Sequence, residues 1–113
     1  AEGQAALTDG VRRAVAGARH IVDLFAGLGT FSLPLSETAE VHAVEGEAAM
    51  LDALEAGWRG APGLHRVSTE TRDLFRRPLL PDELKSYDAA VIDPPGRPPV
   101  FFMSARRDLM SSS

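Results

Sequence analysis

His20-Ile-Val-Asp-Leu-Phe-Ala-Gly-Leu-Gly-Thr-Phe31 decides the fold: an apolar run passes into a glycine turn and then into a helix start. Ile21 to Phe25 is apolar except for one acid, Asp23, the composition of a strand covered on both faces in a parallel sheet. Gly27 and Gly29 follow. Without Cβ atoms they let the backbone turn sharply and come close to a ligand. Strand, glycine loop and helix together have the form of a nucleotide-cofactor loop.

Asp23 narrows the ligand. A dinucleotide loop of the G-x-G-x-x-G kind sets its glycines against a pyrophosphate, whereas Asp23 precedes a shorter Asp-x-x-x-Gly-x-Gly series. A carboxylate there repels phosphate and suits a cation such as S-adenosylmethionine, which carries an ammonium and a sulfonium. Glu40-Val-His-Ala-Val-Glu45 supplies a second strand, and Glu45 lies near the roughly 20-residue offset expected of an acid that grips ribose hydroxyls. Read without a ligand, the pattern is an ordinary strand, turn and helix with surface acids.

Composition sets the bounds. With 113 residues and 44% hydrophobic content, the chain is one small domain with material for a core. No apolar run approaches the ~20 residues that span a bilayer, and Ala1-Glu-Gly-Gln-Ala5 lacks a signal-peptide layout, so a cytoplasmic location is expected. The absence of cysteine excludes disulfides, cysteine-zinc sites, iron-sulfur ligation and thiol nucleophiles within these residues. His20, His42 and His65 show no metal-ligand spacing, and no metal site is expected.

Helical and strand patterns alternate along the chain, the signature of an α/β layer fold. Leu7, Val11, Ala14, Val15 and Ala18 predict a helix over Thr8 to Ala16. A second helix should start near Thr30, whose hydroxyl can cap it, with Pro34 tolerated in its first turn. Met50, Leu51, Leu54 and Trp58 mark a third over Glu47 to Trp58, ended by Gly57, Gly60, Pro62 and Gly63. His65 to Thr69 is a weaker edge strand, and Tyr87 to Asp93 a fourth strand for the sheet interior. The expectation is a Rossmann-like parallel sheet of about four strands in the order 3-2-1-4, flanked by helices, with its crevice at the carboxyl ends of strands one and four.

That crevice collects Asp23, the glycine loop, Glu45, Asp73 and Asp93-Pro-Pro95. Asp73 can accept a hydrogen bond from an adenine amino group, or act as a turn acid paired with Arg72 or Arg76. The two prolines after Asp93 fix an extended turn that holds a carboxylate at the crevice floor, unless they simply terminate the strand.

These residues resemble the class I S-adenosylmethionine-dependent methyltransferases, and within them the RNA (uracil-5-)-methyltransferases. Val22-Asp-Leu-Phe-Ala-Gly-Leu-Gly-Thr-Phe-Ser-Leu-Pro-Leu35 is similar to that family's first motif, His42-Ala-Val-Glu-Gly46 to its second-strand motif, and Tyr87 to Pro95 to its Asp-Pro-Pro motif. Glu2-Gly-Gln-Ala-Ala6 is similar to the segment that introduces its catalytic domain. By this likeness Asp23, Ala26, Gly27 and Gly29 cradle the methionine part of the cofactor, Glu45 the ribose and Asp73 the adenine. Phe25, Thr30, Gly46 and Leu74 complete the binding set, and Asp93 borders both the transferred methyl and the target base. RNA is a partner by resemblance only.

The departures carry information too. The family places an arginine directly after Asp-Pro-Pro, whereas this chain reads Gly96-Arg-Pro-Pro-Val-Phe-Phe-Met103. The family's cysteine nucleophile, expected on the following strand, has no counterpart. The expected division is therefore a cofactor-binding domain over 1–95 and an atypical tail over 96–113 with a truncated or frame-altered character. Independent activity is doubtful, because carbon 5 of uracil needs covalent activation. An amine-directed nucleic-acid methyltransferase, a non-catalytic cofactor- or partner-binding module, and a nucleotide-dependent oxidoreductase are the alternatives. The charge of −4 marks no general affinity for nucleic acid, though Arg72, Arg76 and Arg77, or Arg97, Arg106 and Arg107, can touch phosphate or simply be solvated. The fourth strand lacks an evident neighbour, so Val100-Phe-Phe-Met103 is expected to fold back as a makeshift strand or helix, or to pair with a second copy as a homodimer.

Overall fold

The computed structural model describes residues 2–103. Its elements in chain order are α1 (Glu2–Ala14), β1 (His20–Leu24), α2 (Ser32–Leu35), β2 (Glu40–Glu45), α3 (Ala48–Gly60), β3 (Val67–Thr71), α4 (Pro81–Leu84), β4 (Ala89–Ile92) and β5 (Val100–Met103). The sheet runs β3-β2-β1-β4-β5. The first four strands are parallel in the expected order, and β5 adds a fifth, antiparallel to β4 with Val100 opposite Ile92.

One face of the sheet is well covered. Ile21, Val41, Ala89 and Val91 pack with Val11 of α1, with Val15 just after it, and with Phe31 and Leu35 around α2, while Ala43 meets Leu51 and Leu54 of α3. The other face has thinner cover: Val22, Leu24 and Val44 meet Leu74, with Leu79, Tyr87 and Ile92 partly buried beside them. Burial of this kind contributes roughly 1.5–3 kcal/mol per large side chain.

Several boundaries differ from the sequence expectation. The first helix begins at Glu2, not Thr8, because Glu2 to Leu7 holds several good helix formers. It ends at Ala14, short of Ala16, and Gly17 (φ 86°) then turns the chain. No side-chain hydrogen bond caps α2, whose N-cap position is Phe31; the single turn starts at Ser32, two residues after Thr30. Helix α3 passes through Gly57 rather than stopping there, and a Cβ at that position would come within 3.2 Å of Leu33. The third strand starts at Val67, not His65. His65 is held in the connection, its N–H donating to Ser36 O (2.6 Å) and its carbonyl accepting from the Trp58 indole N–H (2.8 Å).

β5 realises the first of the alternatives for Val100–Met103, a strand folded back on β4, so the edge beside β4 is occupied. The hairpin between them starts at Asp93, and Gly96 adopts a φ of 74° within it. The cations Arg106 and Arg107 lie outside the described residues.

Candidate functional site

Three backbone hydrogen bonds gather the loops at the carboxyl end of the sheet. Ala26 N–H donates to Val44 O (3.0 Å), Arg72 N–H to Glu45 O (2.9 Å) and Asp93 N–H to Leu24 O (3.1 Å). Each extends the strand ladder by one step and fixes the next residue relative to its neighbours. The result is a cleft of about 540 Å³ walled by Phe25, Gly27, Glu45, Met50 and Asp93, with Pro94 to Pro98 along one side.

The glycine loop is locked to the second strand. Glu45 Oε1 accepts from Gly27 N–H (3.0 Å) and Oε2 from Glu47 N–H (3.1 Å). Each carboxylate oxygen keeps a further acceptor site, so Glu45 can hold the loop and still receive hydroxyl donors. Gly27 has a φ of 58°, and a Cβ there would meet only Met50 Sδ at 4.0 Å. Gly29 differs: at a φ of 97° its Cβ would lie 3.0 Å from Leu54 Cγ and 3.1 Å from Leu33 Cγ. It lets the loop lie down on α3 and does not wall the cleft. Phe25 is the single non-glycine residue with positive φ (64°) among the described residues, a conformation costing ~1–2 kcal/mol that turns its ring to the cleft wall.

Asp23 lies beneath the loop and not in the cleft wall. It is fully buried, and its Oδ2 accepts from Ser32 Oγ at 2.6 Å. Oδ1 has no hydrogen-bond partner. Burial pushes the carboxyl up to about 7, opposed by the Ser32 bond and reinforced by the charges of Asp93 and Glu45. Burial also raises Asp93. No ion pair reaches Asp23, Glu45 or Asp93 among the described residues.

The remaining expected residues divide. Ala26 is buried against Ala43, Leu51 and Leu54, and Leu74 packs under the thin face, so both serve the core. Thr30 is exposed and outside the cleft lining. Gly46 sits beside the cleft, where a Cβ would approach Arg72 O at 3.7 Å. Asp73 is an exposed turn acid whose Oδ1 accepts from the N–H groups of Phe75 (3.0 Å) and Arg76 (3.3 Å). It pairs loosely with Arg76 at 3.8 Å and not with Arg72. Sequence reasoning missed Met50 and Glu47 as lining residues; their positions directly after the second-strand acid were the available signal. No group of three histidine, cysteine or acid side chains is placed to hold a metal, and no helix is long and apolar enough to cross a membrane, among the described residues.

A parallel sheet in this order, with a glycine loop after β1 and an acid ending β2, is the fold of the class I methyltransferases. The Pyrococcus abyssi tRNA (uracil-54, C5)-methyltransferase, solved with S-adenosyl-L-homocysteine, is 16% identical in sequence and superposes with a TM-score of 0.60 over 80% of this chain and 28% of its own.

In sequence, the chain corresponds to a segment of bacterial RNA methyltransferases. It is 58% identical over 78 residues to an uncharacterized RNA methyltransferase of Brucella suis, covering 69% of this chain and 19% of that protein. It is also 38% identical over 80 residues to the 23S rRNA (uracil(1939)-C(5))-methyltransferase RlmD of Chromohalobacter salexigens, covering 70% of this chain and 16% of that one. The chain thus spans about a fifth of the length of the curated relatives it matches. No protein-family model matches it.

Proposed function

We propose that these residues form the S-adenosylmethionine-binding part of an RNA methyltransferase whose target is carbon 5 of a uracil. The observation that carries the reading is the excess of acid in the cleft: Glu45, Glu47 and Asp93 line it against one cation, Arg97, with Asp23 beneath. Such a site attracts a cation and repels the pyrophosphate of a dinucleotide. The cofactor, when bound, supplies an electrophilic methyl on a sulfonium. Gly27, bare of a Cβ, lets its backbone approach the methionine part, and Asp23, buried beneath the loop, favours the ammonium through its negative field. Glu45 accepts from ribose hydroxyls, Asp73 from the adenine amino group, and Phe25 with Met50 supplies the apolar wall. Asp93, at the head of the hairpin, faces the transfer position.

The uracil assignment rests on likeness to RlmD and on the Asp-Pro-Pro segment. The 113 residues hold no cysteine, so a nucleophile for covalent activation must come from outside them. Calorimetric titration with S-adenosylmethionine, S-adenosylhomocysteine and NAD tests the reading. Saturable binding of the first two, lost in Glu45→Ala, is expected; binding of NAD alone, or of none by the folded chain, refutes it.

A further inference from the structure

Acids and cations are sorted around the cleft in a way that its cofactor does not require. Glu45, Glu47 and Asp93 line the cleft and Arg97 lines it from the hairpin after β4, whereas Arg76 and Arg77 stand outside the lining on the loop after β3. In the order β3-β2-β1-β4 these two loops flank the glycine loop from opposite sides. Arg72 is not part of this set. Its side chain is only 11% exposed and is consumed by Glu83 (2.8 and 3.2 Å), Glu70 (3.3 Å) and the carbonyls of Arg77 (2.6 Å) and Pro78 (2.8 Å).

Those bonds staple the loop to α4, and while Leu74 packs into the core they leave Phe75, Arg76 and Arg77 exposed. Phe75 is 76% exposed, an unusual position for a large aromatic, and its ring leans on Phe25 at the cleft wall with centroids 5.2 Å apart. Arg76 is 88% exposed, with one loose contact to Asp73 at 3.8 Å. An exposed aromatic followed directly by two cations on a braced backbone is the equipment that holds a single nucleic-acid strand by base stacking and phosphate neutralisation.

We infer that Phe75, Arg76 and Arg77 form a contact surface for single-stranded RNA at the cleft's edge, an inference that rests on the proposed function and extends it to how the substrate is held. Phe75 stacks against a base next to the target, and the two guanidinium groups neutralise backbone phosphates. The acids inside the cleft keep phosphates on the rim, so that only a base enters. Arg72 acts as a positioning residue for the surface.

Fluorescence anisotropy with a labelled uridine-rich 12-mer of single-stranded RNA, with S-adenosylhomocysteine calorimetry on the same samples, tests this. Phe75→Leu, which preserves the apolar contact with Phe25, should weaken RNA binding roughly tenfold. The double variant Arg76→Ala/Arg77→Ala should lower the slope of log affinity against log salt by about 1.4, two phosphates' worth for a single strand, with S-adenosylhomocysteine binding unchanged. RNA binding indifferent to both variants, no RNA binding at all, or loss of S-adenosylhomocysteine binding in Phe75→Leu each overturns the surface. Failure of S-adenosylhomocysteine to bind the wild-type chain, with RNA binding intact and sensitive to the variants, falls instead on the cofactor assignment and supports the surface.

Discussion

The two ends of the sheet treat their acids in opposite ways. At the amino end Asp88 Oδ2 accepts from the backbone N–H groups of Arg19 (2.8 Å) and His20 (3.0 Å), and Glu40 lies 3.0 Å from His20 Nε2. At the carboxyl end Glu45 also serves two backbone N–H groups, but no ion pair reaches Asp23, Glu45 or Asp93 among the described residues, and burial raises Asp23 and Asp93. The first arrangement ties β1 to its neighbours. The second costs stability and makes sense as a preformed place for positive charge.

The largest expected effect comes from Asp23. Its folded value, about 7, lies above the ordinary 3.8, so the folded state takes up a proton that the unfolded chain does not hold between those limits. Stability associated with this group is present below pH 3.8 and is lost as pH rises through 7. Relative to Asp23→Asn, which does not titrate, the wild-type chain should lose up to about 4 kcal/mol between pH 4 and pH 8. Urea denaturation of both proteins across that range measures the difference, and parallel curves would remove the distinction between the two ends. A bound cation keeps Asp23 ionised, so S-adenosylmethionine affinity should fall as pH drops below 7, and Asp23→Asn should abolish that dependence.

Within the carboxyl end, the two loop glycines separate packing from ligand approach. Gly29→Ala puts a Cβ 3.0 Å from Leu54 Cγ at a φ of 97°, and about 3 kcal/mol of stability should be lost from strain and overpacking. Gly27→Ala makes only an ordinary contact with Met50 Sδ at 4.0 Å, so about 1 kcal/mol is lost to the backbone alone, but cofactor affinity should fall at least tenfold because the added methyl stands beside a residue that lines the cleft. Equal losses of stability and affinity in both variants would show that the loop acts as one unit.

How much of this was legible in the sequence follows the range of each interaction. The strand order, the glycine loop and the clustering of Asp23, Glu45 and Asp93 at one end follow from local patterns: apolar runs, turn residues and acids at strand ends. Depth was not legible. Asp23 was expected to touch the ligand, yet it lies under the loop on Ser32, because alternation puts it on the face covered by helices. Ala26 and Leu74 read as cofactor residues from their motifs and turn out to be core. The role of Arg72 was equally hidden: its partners Pro78, on the loop before α4, and Glu83, in the single turn of α4, sit where no periodicity fixes the path of the chain.

The smallest effect belongs to the amino end. Asp88→Ala removes a carboxylate that serves two backbone amides at the entry to β1, both partly open to water, which can replace the lost acceptor. A loss of about 1 kcal/mol is expected, seen as a shift of the urea midpoint with an unchanged slope. Cofactor affinity should stay at its wild-type value, since β1 is still held along its length by β2 and β4 through Leu24, the residue before the glycine loop. If affinity falls together with stability, strain introduced at the amino end is transmitted along β1 to the loop. The two ends would then form one mechanical unit, and the acids at the carboxyl end would depend for their positions on the pairing at the other.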